Sequence, residues 1–318
     1  MPLARVRHLV KHASVHGYLV VSFTVRRIEE VQAVVNAAET ARAPAIIAVE
    51  GQCSTFLDND IKLAVSASVA ASASVPIAVE VVSQVRQGTL ISSRSDGAAV
   101  HVFSPTEDAA LYAASRSAVR QQDPEQADCE MWFDWPGSVA IPETCAAGCR
   151  LGVAVGETGT ALLRPAAFRR QLQALNQRHD GPLVIDGDLP WSSGTFRSFV
   201  TLGVAKINVD KRLGSVMAKA NRRAAQKVGD HYHLAVEETI SALTAEVSEC
   251  LRRAGGSGRA ADVLACAADD EPDPAAVEAY ISFSNHGGRR TANVVHKMMP
   301  ALVTTPYSGL GFKRSYAG

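Results

Sequence analysis

Eight short, β-rich apolar runs recur along this chain, with amphipathic stretches between them. The runs are LVVSFTV (19–25), AIIAVEG (45–51), PIAVEVVS (76–83), GAAVHVFS (97–104), ADCEMWFDW (127–135), RLGVAVGE (150–157), PLVIDGD (182–188) and VAKINVD (204–210). Most are apolar at successive positions, as parallel strands covered on both faces must be. Between the first two, RRIEEVQAVVNAAETAR (26–42) sets Ile28, Val31, Val34, Val35 and Ala38 on one helical face. PAAFRRQLQALNQRHD (165–180) is a second helical stretch. Eight strand–helix units within about 260 residues predict an α/β fold, the (β/α)8 barrel. An open doubly wound sheet is the competing architecture, but no G-x-G-x-x-G follows the first run.

Composition narrows the function classes. The chain has 318 residues, 32 basic and 32 acidic, so no global positive field exists to attract a nucleic acid. An apolar fraction of 47% is enough for a full core. The least charged stretch, Leu63 to Val79, is interrupted by serines and too weakly apolar to span a bilayer. The basic N-terminus lacks the apolar core and cleavage site of a signal peptide. Six cysteines, with no C-x-x-C among them, read as ordinary buried thiols rather than a disulfide or metal framework. These features point to a cytoplasmic protein with no membrane and no nucleic-acid partner.

After the eighth run, Arg212 to Val228 and Leu234 to Ala254 read as two helices, the second stopped by Gly255-Gly256-Ser257-Gly258. The expected organisation is a barrel over 1–262 and a C-terminal extension over 263–318. The extension is too apolar for a solvated linker, with Phe283, Met298, Tyr307 and Phe312 among its residues. Residues 281–318 carry five basic residues and no acid, which leaves the first 280 with a net charge of −5. The tail is therefore expected to pack on the barrel or a partner subunit and to complete an acidic rim.

The opening MPLARVRHLVKHASVHGYLVVSFTV and the stretch GVAKINVD (203–210) resemble the class II fructose-bisphosphate aldolases. The resemblance runs from Met1 to about Asp262, in the same strand order. It implies a barrel whose zinc polarises a ketose-phosphate carbonyl, held by imidazole ligands. Four motif positions depart from that pattern. The family's His-Leu-Asp-His-Gly run on the third strand reads Glu80-Val81-Val82-Ser83-Gln84, so the acid/base Asp is Val82 and a zinc His is Ser83. The other two zinc His positions are Gly159 and Asp186. No zinc or other cofactor is expected, and an oxygen-only magnesium or manganese site is a remote third choice. The glycine-rich phosphate turn has become Gly187-Asp188-Leu189-Pro190, which adds an acid and deletes an N–H donor.

Barrel enzymes work at the C-terminal ends of their strands, and here those ends are rich in carboxylates. Solvated loop acids and helix caps explain such a rim; so does a cationic or polyhydroxylated ligand. Asn208 and Asp210 match the family's substrate-contacting positions, and Glu50, Gly187, Asp188 and Arg212 are further substrate contacts. Glu157 and Asp186 are the acid/base candidates. Lys206 lies two residues before Asn208, on the same side of the strand. A buried lysine there can form a Schiff base with a carbonyl or stabilise charge, or else pair structurally with an interior carboxylate such as Glu130 or Glu80.

Histidines offer no metal site. His8, His12 and His16 fall on one face of the N-terminal helix and are expected at the surface. His231-Tyr232-His233 reads as a helix junction and His101 as a core histidine. Asn285-His286-Gly287-Gly288-Arg289-Arg290 is either a phosphate loop or a basic surface turn. The function these residues predict is a repurposed, zinc-independent enzyme of sugar or sugar-phosphate chemistry, an aldol-type carbon–carbon lyase or relative acting as a homo-oligomer. The alternative is an inactive pseudo-aldolase that binds a metabolite or a protein.

Overall fold

The computed structural model describes residues 4–50, 59–84, 99–103, 129–135, 149–155, 165–178, 181–186, 192–228 and 231–268. Strands form on all eight apolar runs: β1 (Val20–Val25), β2 (Ala45–Glu50), β3 (Ile77–Gln84), β4 (Ala99–Phe103), β5 (Cys129–Trp135), β6 (Cys149–Val155), β7 (Leu183–Asp186) and β8 (Val204–Val209). Each pairs in parallel with the next, and β8 returns to β1 with Val20 opposite Lys206 and Ser22 opposite Asn208. The sheet therefore closes on itself, as the strand–helix count predicts. Among the described residues the helices are α1 (Val6–His16), α2 (Ile28–Ala41), α3 (Asn59–Ser72), α4 (Pro165–Arg178), α5 (Ser193–Val200), α6 (Lys211–Val228), α7 (Tyr232–Ala254) and α8 (Ala260–Ala268).

Strand periodicity sorts the apolar residues into two cores. Val21, Phe23, Val25, Ile47, Val49, Ile77 and Ile185 face outward and meet helix residues such as Val31, Val34, Phe168 and Leu243. Each such side chain contributes about 1.5–3 kcal/mol relative to exposure. The intervening residues face the barrel interior. At its N-terminal end Val20, Ile46, Ala78 and Ala205 pack on Val6, Leu9, Val10 and Ala13 of α1, so this helix floors the barrel. Gly17 ends α1 in the left-handed conformation at φ 68°, which glycine adopts without the Cβ penalty.

One irregularity sets the site. Leu183 pairs with Val204, but Val184 pairs with Lys206, so Ala205 is an extra residue on β8. Such a bulge turns two successive residues to the same face. Val204 joins the outer core, Ala205 joins the floor, and Lys206 also enters the interior.

The contacts divide the chain into Met1–Glu271 and Pro272–Gly318. α8 belongs to the first unit, where its Val263 joins the floor cluster beside α1. The predicted tail roles, including the Asn285–Arg290 loop and the basic counter-charge, lie outside the described residues. Among the described residues no helix is long and apolar enough to cross a membrane.

Candidate active site at the C-terminal strand ends

Lys206 is fully buried, and its Nζ donates to Glu80 Oε2 at 2.8 Å. Both side chains are completely inaccessible. Ser22 Oγ donates to the other oxygen, Glu80 Oε1, at 2.5 Å. Strands β1, β3 and β8 thus deliver a hydroxyl, a carboxylate and an ammonium to one point inside the barrel. Of the two interior carboxylates the sequence offers Lys206, Glu80 is a partner. An unpaired buried charge costs several kcal/mol, so this network is stable only as a set.

One step toward the mouth, Asn208 is 8% exposed, and among the described residues its Oδ1 has no hydrogen-bond partner. Asp186, at the end of β7 and half-buried, sits in register with Asn208. Thr24 is 7% exposed at the end of β1. Buried amides are normally satisfied, so this acceptor, at the C-terminal end of the barrel, has room to accept a further hydrogen bond.

At the rim, Asp210 accepts from Arg26 Nη2 at 2.5 Å. Arg26 was not among the sequence candidates, because it belongs to the turn after β1 and only barrel closure brings it to β8. Its placement is local in origin. Glu30, in the first turn of α2, accepts from the backbone N–H of Arg26 at 2.6 Å and of Arg27 at 3.1 Å. Burial pushes the Glu30 carboxyl up from its ordinary value, and those two backbone bonds oppose the shift. Glu30, at the third position of α2 and reaching back to the Arg27 N–H, supplies the acidic half of a capping box.

The other predicted residues divide. Arg212 lies against Glu246 of α7, on the helical layer. Glu50 ends β2, with its side chain outside the described residues. Glu157, Gly187 and Asp188 are outside the described residues altogether. The expected surface placement of the histidine row is corrected at its centre. His12 is 6% exposed and bonds Tyr18, because α1 turns that face under the barrel. The other members of the row are half-buried His8 and exposed His16. The thiols also divide, Cys250 being buried and Cys266 exposed. His231 and His233 stand exposed at the start of α7, as a helix junction would place them. His101 lies on β4, its side chain outside the described residues.

At the positions where the resemblance implies the family's zinc ligands, the sequence has Ser83 on β3, Asp186 on β7 and Gly159, none of them an imidazole. Among the described residues no group of three His, Cys, Asp or Glu is placed to hold a metal ion.

Residues 4–81 match the family model "Fructose-bisphosphate aldolase class-II". The YdjI aldolase from Escherichia coli K12 has a similar structure, with a TM-score of 0.65 and 21% identity over 81% of this chain and 99% of that one. The fructose-bisphosphate aldolase Fba from Campylobacter jejuni gives a TM-score of 0.60 and 11% identity over 80% of this chain and 96% of that one. No curated protein sequence matches the chain. The family model thus covers the first two strands and most of the third, and the solved structures share the barrel fold.

Proposed function

We propose that this class II aldolase-family barrel makes or breaks carbon–carbon bonds in a sugar or sugar phosphate without the family's zinc. The observation that carries the proposal is Asn208, nine-tenths buried at the C-terminal end of β8 with an unpartnered Oδ1. In this reading Asn208 and Asp210 contact the ligand, with Gly187, Asp188 and Glu50 as further contacts around the mouth. Arg26 holds Asp210 in place. Asp186 is an acid/base group beside the ligand, and Glu157 the second.

Lys206 is the cation beneath. Breaking a carbon–carbon bond next to a carbonyl leaves negative charge on oxygen, and a fixed, desolvated ammonium stabilises such charge. Nucleophilic attack by Lys206 is the more demanding variant. The amine would first pass a proton to Glu80, which lies within hydrogen-bond reach.

The test is cleavage of ketose phosphates by the purified protein in chelator-treated buffer. The expected result is turnover that chelator leaves unchanged and that Asp186→Asn reduces by at least about 100-fold, in line with general acid–base contributions. A stoichiometric zinc requirement would overturn it. Borohydride with dihydroxyacetone phosphate should add mass at Lys206 only if the lysine is a nucleophile.

A second reading, a ligand-binding barrel without chemistry, is favoured by the complete sealing of Lys206 by Glu80. It is distinguished by saturable sugar-phosphate binding with no turnover.

A further inference from the structure

The helix that floors the barrel contains no acid. It carries Arg7 and Lys11 together with His8, His12 and His16. His12 sits in the interface, and its Nδ1 lies 3.0 Å from the Tyr18 hydroxyl. Among the described residues its buried Nε2 has no partner. Neither tautomer repairs this, since the Tyr18 bond uses Nδ1 as donor or acceptor and leaves Nε2 bare. The His16 ring stacks on His12 at 3.9 Å, and His16 Nδ1–H donates to the His12 carbonyl at 3.0 Å.

Among the described residues, few opposing charges face His12. α1 packs on β1, β3, β8 and α8. From the α8 side come Arg259, 5.9 Å from the Tyr18 ring centroid, then Asp262 and the thiol of Cys266. Asp262 is already paired with Arg259. β3 and β8 supply Glu80 and Lys206, which are bonded to each other, and β1 supplies no ionised side chain. A proton on His12 would therefore create a buried cation beside His16 and Arg259.

The floor also shields the polar network above it. Val20, Ala78 and Ala205 contact the α1 cluster, and each lies one or two residues below Ser22, Glu80 or Lys206 on the same strand.

We propose that α1 is an acid-released seal: protonation of His12 undocks the helix from the barrel floor and opens the Lys206–Glu80 pair to water. The direction follows from linkage. Burial, then His16, holds the His12 imidazole below its ordinary value of 6.5, with Asp262 opposing and Arg259 adding to the shift. The undocked helix therefore binds the proton first. Docking is at full strength above pH 6.5 and weakens as the pH falls from there toward the lowered value.

The experiment is hydrogen exchange of the full chain between pH 7.5 and 5, corrected for the intrinsic pH dependence of amide exchange. Amides of α1 should lose protection by up to about tenfold per pH unit below the histidine value, the slope for one proton. Amides of α7 should hold theirs. His12→Gln keeps a partner for Tyr18 but does not titrate, and it should flatten the α1 profile. An unchanged acid response in His12→Gln, or parallel loss in α1 and α7 of the wild type, would overturn the proposal. If His12→Gln fails to fold, the wild-type His12 ring is titrated by NMR. A midpoint at or above 6.5 overturns the proposal, as does wild-type α1 protection that stays constant while the ring takes up its proton; loss of α1 protection in step with a lowered midpoint upholds it.

Discussion

Two levels of the barrel, two to four residues apart along β1 and β8 and their ends, show opposite treatments of polar groups. At the lower level Ser22, Glu80 and Lys206 lie above an apolar floor, and these three fully buried groups bond one another. At the upper level Asn208 is almost as deeply buried, yet its Oδ1 has no partner, and Asp210 leans on the half-exposed Arg26. A folded chain tolerates unsatisfied polar atoms where something else satisfies them in use. The lower level is complete in itself, and in the proposed reading a ligand completes the upper one.

Breaking the lower level should have the largest effect. Lys206→Met removes one partner of a fully buried pair and leaves Glu80 uncompensated, at a cost of about 3–5 kcal/mol. Adding Glu80→Leu should recover much of that loss, since an apolar pair of similar volume avoids the desolvation penalty. Urea denaturation of the two single variants and the double variant closes the cycle. Additive losses would show that the two side chains stabilise the barrel independently.

The corresponding ion pair of the upper level should matter far less. Arg26 and Asp210 are 31% and 36% exposed, so solvent screens their attraction. Arg26→Met should cost under about 1 kcal/mol in the same denaturation assay. It should nevertheless weaken sugar-phosphate binding, because Asp210 loses the group that positions it. A loss as large as that of Lys206→Met would erase the distinction between the levels.

The sequence made much of this architecture legible, because strand burial on both faces leaves a signal that does not depend on long-range contacts. All eight runs became strands, and the pairing of Lys206 with Asn208 on one strand face survived. The bulge at Ala205 was not legible: the run GVAKINVD has no glycine or proline at that point, and only the pairing with β7 reveals the extra residue. Arg26 was missed for a related reason. Its partner Asp210 is 184 positions away, and nothing local distinguishes this arginine from Arg27. His12 was misplaced because a helix with polar residues at every fourth position resembles a solvated face. Here that face is folded under the barrel, with Tyr18 supplying the polar contact.

The smallest effect on stability should accompany the largest loss of function. Asn208→Leu replaces a buried amide with an apolar side chain of similar size. Among the described residues Oδ1 has no partner, so the substitution removes an unsatisfied atom. Stability should stay within about 1 kcal/mol of wild type and can rise, since surrendering a desolvated orphan is favourable. Ligand binding should fall by at least about tenfold, the value of one hydrogen bond to a group that would otherwise be left bare. Thermal denaturation and calorimetric titration with a sugar phosphate measure the two on the same sample. A marked loss of stability with binding intact would mean that Asn208 completes the fold, and the upper level would then be a continuation of the lower one rather than a site.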